Sequence, residues 1–273
     1  MKRTTWFLTS ALLLASCADP LKDVELVTSV RVLGARVEVS GEPERASPAP
    51  GEDAVVRWLV AAPEPEPALG WSLEVCGAAP GGSSLPACAE EPFAAASVVD
   101  PVPGEPRLDF TVPSEIAALS LAVQGEVEGT LVSFDFGLAP VELNHNPVLE
   151  PEALSFDGEI WAAGNDCALL PEVPRGSTHA LELLLDESDR EPLEQSASVD
   201  PEREPLQASH FTTGGELERA FTQIPADQSD LGVRVSWKAP VVQPQSGLVR
   251  FFFVVRDSRG GTDWLERALC VAP

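Results

Sequence analysis

Proline does most to limit how this chain can fold. There are 26 prolines among 273 residues, and each lacks the N–H that a helix interior or a central strand needs. A run such as Pro63-Glu64-Pro65-Glu66-Pro67 excludes helix and reads as extended loop. Between these breaks lie short apolar runs at residues 30–39, 54–60, 71–76, 107–112, 119–123 and 130–136. Several alternate as half-buried strands do; the third puts Trp71, Leu73 and Val75 on one face. The pattern breaks at Leu143-Asn144-His145-Asn146-Pro147, where Asn and Pro mark a boundary. A second set follows at 153–161, 179–185, 232–237, 249–255 and 263–271, interrupted by a long polar loop at 186–215 with one short strand near 206–211. Helical turns are expected only at 113–118, with Ser114 as N-cap, and at 216–221. Short strands with turn signals and few helices predict an all-β chain of two β-sandwiches in tandem, residues 30–143 and 144–273.

The amino terminus carries a separate instruction. Lys2 and Arg3 precede the apolar run Trp6 to Ala15 and end at Leu14-Ala15-Ser16-Cys17. A basic start, a short apolar core and small residues form the layout of a secretory signal, and the run is about half the length that spans a bilayer. Leu14-Ala15-Ser16-Cys17 resembles the lipobox of bacterial lipoproteins. That resemblance implies removal of residues 1–16, lipid on Cys17 and a lipidated tether at 17–29. Two or three acyl chains, each buried methylene contributing about 0.8 kcal/mol, hold a membrane far better than one. Ala18 stands where an Asp would favour the inner membrane, so the expected place is the cell envelope, outer membrane over inner.

Setting Cys17 aside leaves Cys76, Cys88, Cys167 and Cys270, an even number that suits disulfides in an oxidising compartment. Three pairings are open; one bridge per sandwich, Cys76–Cys88 and Cys167–Cys270, is the simplest. A zinc site finds no Cys-x-x-Cys spacing and no nearby His. Cleavage would leave 16 basic residues against 43 acidic ones, a surface that repels nucleic acid and anionic headgroups.

Val30 to Val60, two strands around Pro50-Gly51-Glu52, with Trp71 to Cys76 after them, resembles bacterial immunoglobulin-like domains. The closing Phe251-Phe252-Phe253-Val254-Val255-Arg256-Asp257-Ser258-Arg259-Gly260-Gly261-Thr262-Asp263-Trp264 is similar to the last hairpin of polycystic-kidney-disease-like domains. The whole layout is similar to lipoproteins of myxobacteria and their relatives. The resemblance implies an immunoglobulin-like fold and an envelope location, and carries no activity with it.

The sequence carries no familiar catalytic signature. It has no Gly-x-Ser-x-Gly, His-Glu-x-x-His or Gly-x-x-x-x-Gly-Lys. The three histidines, His145, His179 and His210, read as surface or hinge residues. Asp186-Glu187-Ser188-Asp189 and Asp227-Gln228-Ser229-Asp230 offer the hard oxygens calcium prefers but lack the spacing of an EF-hand loop, and read as solvated loops. The tryptophans lie in or beside strands and are expected in the cores. The expectation is therefore a membrane-anchored lipoprotein without enzymatic function, cofactor or metal, binding an envelope protein or glycan or acting as a spacer. The alternative is a polysaccharide hydrolase using Asp or Glu of the 186–215 loop.

Overall fold

The computed structural model describes residues 24–63, 69–80, 86–102, 106–141, 143–192 and 203–273. The expected signal segment, Cys17 and most of the expected tether lie outside them. The described chain is all-β: two immunoglobulin-like sandwiches, with 3-10 turns at Pro151–Ala153 and Glu187–Asp189 as its helical elements.

The first sandwich comprises β1 (Arg31–Val39), β2 (Asp53–Ala61), β3 (Leu69–Gly77), β4 (Ala94–Val102), β5 (Arg107–Thr111), β6 (Ser120–Val127) and β7 (Thr130–Gly137). A sheet ordered β1-β2-β5 faces one ordered β4-β3-β6-β7. Alternation places Val56 and Trp58 of β2 against Leu73 and Val75 of β3 and Leu121 and Val123 of β6, all buried. Cys76 bridges Cys88, Cα–Cα 5.5 Å, fastening the loop after β3 to that strand.

The second contains β8 (Leu154–Phe156), β9 (Glu159–Ile160), β10 (Glu172–Val173), β11 (Thr178–Leu184), β12 (Leu206–Thr212), β13 (Glu216–Leu217), β14 (Phe221–Ile224), β15 (Gly232–Lys238), β16 (Leu248–Arg256) and β17 (Thr262–Val271). Its sheets are ordered β13-β15-β11-β8-β9 and β10-β17-β16-β12-β14. The plan repeats the first sandwich: β8-β11-β15 stands for β1-β2-β5, and β14-β12-β16-β17 for β4-β3-β6-β7. In its core Trp161 and Trp237 each present a ring to Phe251 at 5.0 Å between centroids, the edge-to-face geometry aromatic pairs favour. Cys167 bridges Cys270, Cα–Cα 5.6 Å, tying the segment before β10 to the last strand.

Several expectations are corrected. Residues 113–118 form a turn and loop, and 216–221 contains β13 and the start of β14, with no α-helix. The short strand expected near 206–211 within the 186–215 loop is β12, and it is a central strand rather than a minor one, paired with both β14 and β16. Its inward residues Leu206, Ala208, His210 and Thr212 include two polar ones, which disguised the alternation. The 17–29 tether also ends early: Val27 N–H donates to Thr212 O (2.8 Å) and Thr212 N–H to Glu25 O (2.9 Å), with Val27 buried.

Candidate functional site

The two sandwiches do not hang from a loose linker. β1, β2 and β16 each carry apolar residues on a second face as well, and these are buried against the neighbouring sandwich. In β16, Phe251, Phe253 and Val255 fill the second core while Phe252 and Val254 point the other way. They meet Leu33, Leu59, Ala61 and Val27, all buried, with Phe211 and Trp264 at the margin. Leu33 reaches that side through a bulge between Val32 and Gly34, which lets Val32 and then Ala35 and Val37 pack on the first core.

Beside this apolar contact is a polar junction, built from the linker Leu143-Asn144-His145-Asn146 and the β16–β17 turn Asp257–Gly261. Asn146 is 4% exposed; its Nδ2 donates to Val37 O of the first sandwich (2.7 Å), and its Oδ1 accepts from Thr262 N of the second (3.0 Å). Asn144 is 1% exposed, with Nδ2 donating to Asp257 Oδ2 at 3.0 Å. Arg36 of β1 reaches Asp263 Oδ1 at 2.7 Å, and the Arg256 guanidinium donates to Leu33 O.

The Asp257 turn is closed by its own carboxylate. Asp257 Oδ1 accepts from Arg259 N (2.7 Å) and Gly261 N (2.8 Å), and Gly260 has φ +101°. A Cβ on Gly260 would come within 2.7 Å of Asp135 O, and one on Gly261 within 2.6 Å of His145 O. The glycines are therefore also what lets the turn press against the first sandwich and linker. Arg259, in the same turn, donates to Glu204 Oε2 (2.9 and 2.8 Å), to Glu191 and to Leu143 O (2.6 Å). Glu191 also binds the His145 ring.

Burial, and then the neighbouring Asp257, pushes the Glu204 carboxyl up to about 7, against the pull of Arg259. Burial likewise pushes Asp257 up to about 6, although it accepts hydrogen bonds. An open pocket of about 530 Å³ lies alongside, lined by Glu44, Glu150, Asp186, Asp189 and Glu191 with His145. Its carboxylates are mostly structural. Asp186 caps the 187–189 turn through Ser188 N (2.9 Å), and Asp189 accepts from Val148 N (3.0 Å) and Asp186 N (2.8 Å). Among the described residues no group of three or more His, Cys, Asp or Glu side chains is arranged to hold a metal ion.

The histidines separate into three situations. His145 is the hinge residue expected. His210 is not on the surface: it is 0% exposed and edge-on to Phe253 at 5.9 Å, and burial drives it down to about 4 against the pull of a backbone hydrogen bond at Arg219. His179 completes a chain that the sequence reading missed. Its Nε2 lies 2.6 Å from Ser177 Oγ and its Nδ1 2.7 Å from Asp157 Oδ2, distances a nucleophilic triad would have. Proton accounting points elsewhere. Ser177 Oγ is 2.5 Å from Pro174 O, which can only accept, and Ser177 N–H is directed to the same carbonyl at 3.3 Å. The hydroxyl has one proton, and directed to Pro174 O it is not offered to His179 Nε2 as a general base requires. Asp157, at the β8–β9 turn with φ +50°, also accepts from Ala180 N (2.8 Å). The chain pins that turn to β11. Only the Ser-x-His spacing and an Asp-Gly turn, both unremarkable in sequence, could have announced it.

No family model matches the chain, and no curated protein does. Among solved structures it is similar to the Yersinia pseudotuberculosis adhesin InvE, with 8% identity and a TM-score of 0.23 over 88% of this chain and 60% of that one. It is also similar to a Salmonella alpha-2-macroglobulin reacted with methylamine, with 15% identity and a TM-score of 0.25 over 92% of this chain and 15% of that one.

Proposed function

We propose that this protein is an exported lipoprotein, held on the cell envelope through Cys17, whose folded part is a stiff two-sandwich spacer or binding element without enzymatic function. The observation that carries the reading is the double seam between the sandwiches. Buried Phe252, Val254, Leu33 and Leu59 on one line and Asn146 with Arg36–Asp263 on the other fix their relative orientation. A body of that kind suits holding a surface at a set distance and angle from its anchor. Two disulfides support an oxidising compartment, and the lipobox-like Leu14-Ala15-Ser16-Cys17 supports the anchor. The hydrolase alternative loses its best candidates: Glu187 pairs with Arg203, Glu191 and Glu204 with Arg259, and Asp186 and Asp189 serve backbone N–H groups. Residues 193–202 of that loop lie outside the described ones.

The test is metabolic labelling with a clickable palmitate analogue in a bacterial host, followed by membrane fractionation and pull-down from the envelope. The wild type is expected in the membrane carrying label, and Cys17→Ala is expected soluble and unlabelled. Label retained by Cys17→Ala would overturn the anchor. A purified protein that turns over envelope glycans would overturn the non-enzymatic reading.

A further inference from the structure

We propose that the junction between the two sandwiches is a proton-linked clamp, closed while the buried Glu204 carboxyl carries a proton and loosened when it ionises. The geometry comes first. Glu204, just before β12, is 1% exposed. Its Oε2 takes two donors from Arg259 (2.9 and 2.8 Å), while its Oε1 is buried with no partner. Asn144 Oδ1, in the linker, is also buried without a donor. Three carboxylates, Glu204, Glu191 and Asp257, surround one guanidinium, that of Arg259.

Among the described residues, each other basic group near them is already committed. His145 binds Glu191. Arg190 donates to the carbonyls of Glu204, Pro225, Ala226 and Gln228. Arg203 donates to Arg190 O and pairs with Glu187. With every carboxyl ionised the cluster carries an excess of two negative charges, part of it at an atom that water does not reach. A buried carboxylate oxygen without a donor is costly, and a proton on Glu204 removes the charge without moving an atom.

The direction of the effect follows from linkage. Glu204 lies at about 7 in the closed junction against 4.5 for a solvated glutamate, so the closed state binds more protons. Closure is fully favoured below the solvated value and weakens as pH rises towards and through 7. Asp257, about 6 against 3.8, acts in the same sense. For Glu204 alone the closed-to-open ratio falls about 70-fold between pH 5 and pH 8. The device would couple the angle between sandwiches to the acidity outside the cell, and it stands whether or not Cys17 carries lipid.

Hydrogen exchange on the purified protein at pH 5 and pH 8, corrected for intrinsic rates, tests this. Wild type is expected to lose protection in the 257–262 turn and the 143–149 linker at pH 8, with the β11–β15 pair unchanged. Glu204→Gln, neutral at both values, is expected to keep most of that protection and to show only the smaller dependence left by Asp257. Equal wild-type protection at both pH values, or the same loss in Glu204→Gln, would overturn the clamp. Should the variant not fold, carboxyl NMR of labelled wild type decides: a Glu204 midpoint near 7 supports the proposal, and one below 5 refutes it.

Discussion

Phe252→Ala separates a docked pair of sandwiches from two that merely share a chain. Phe252 is 0% exposed, yet it points away from its own sandwich's core and into the cluster with Leu33, Leu59 and Val254. An aromatic side chain buries about 150–250 Å², worth about 4–6 kcal/mol at about 25 cal/mol per Å². Alanine keeps part of that, and measured Phe→Ala losses in cores run at about 3–5 kcal/mol. The expected cost is therefore about 3–5 kcal/mol, a large share of a typical stability of about 5–15 kcal/mol. Urea titration followed by tryptophan fluorescence would read it. Exchange in β1 and β2 should rise along with it, although neither strand belongs to the mutated sheet. Phe221→Ala, at a ring 53% exposed, serves as control and should change stability by about 0.5 kcal/mol or less. A Phe252→Ala cost below about 1 kcal/mol, with β1 and β2 exchange unchanged, would refute the docked arrangement.

Three further outcomes are expected. Replacing Cys167 and Cys270 by Ser removes a crosslink across 103 residues and should cost about 4–5 kcal/mol in the chain-entropy account, against about 3 for Cys76 and Cys88, measurable by thermal unfolding of each double variant. His210, at about 4 in the fold against an ordinary 6.5, makes the unfolded chain the stronger proton binder. Stability should fall by up to about 3 kcal/mol as pH drops through that window, and His210→Leu should flatten this limb, opposite in sign to Glu204→Gln. Ser177 should not react with a fluorophosphonate probe, and Ser177→Ala should cost about 1 kcal/mol by urea titration through the lost turn bond; labelling that depends on His179 would restore the triad reading.

Strands with strong patterns were legible in the sequence because one side chain in two is apolar. Those missed had little to show: β4 opens with Ala94-Ala95-Ala96, and β13 has two residues. The continuous Phe251-Phe252-Phe253-Val254-Val255 run carried more than a strand assignment. Apolar residues at consecutive positions mean both faces are buried, and here the second face is the seam. The junction was half visible. Asn144 and Asn146 read as turn formers and proved to be wiring, because sequence shows that an amide is present but not whom it bonds. Glu204 could not be singled out among 43 acidic residues, since only its surroundings distinguish it.

The strap at Glu25–Val27 bears on how the protein comes to be made. A chain made amino terminus first delivers Val27 early, yet its partner, Thr212, emerges only with the second sandwich. Arg36 likewise waits for Thr262, 226 positions later. The first sandwich can close its own core early, but the outer faces of β1 and β2 must stay wet until almost the whole chain has been made. Folding thus ends with a zippering step: a chain truncated before β16 would leave Leu33 and Leu59 uncovered, a mark that proteases and chaperones could recognise.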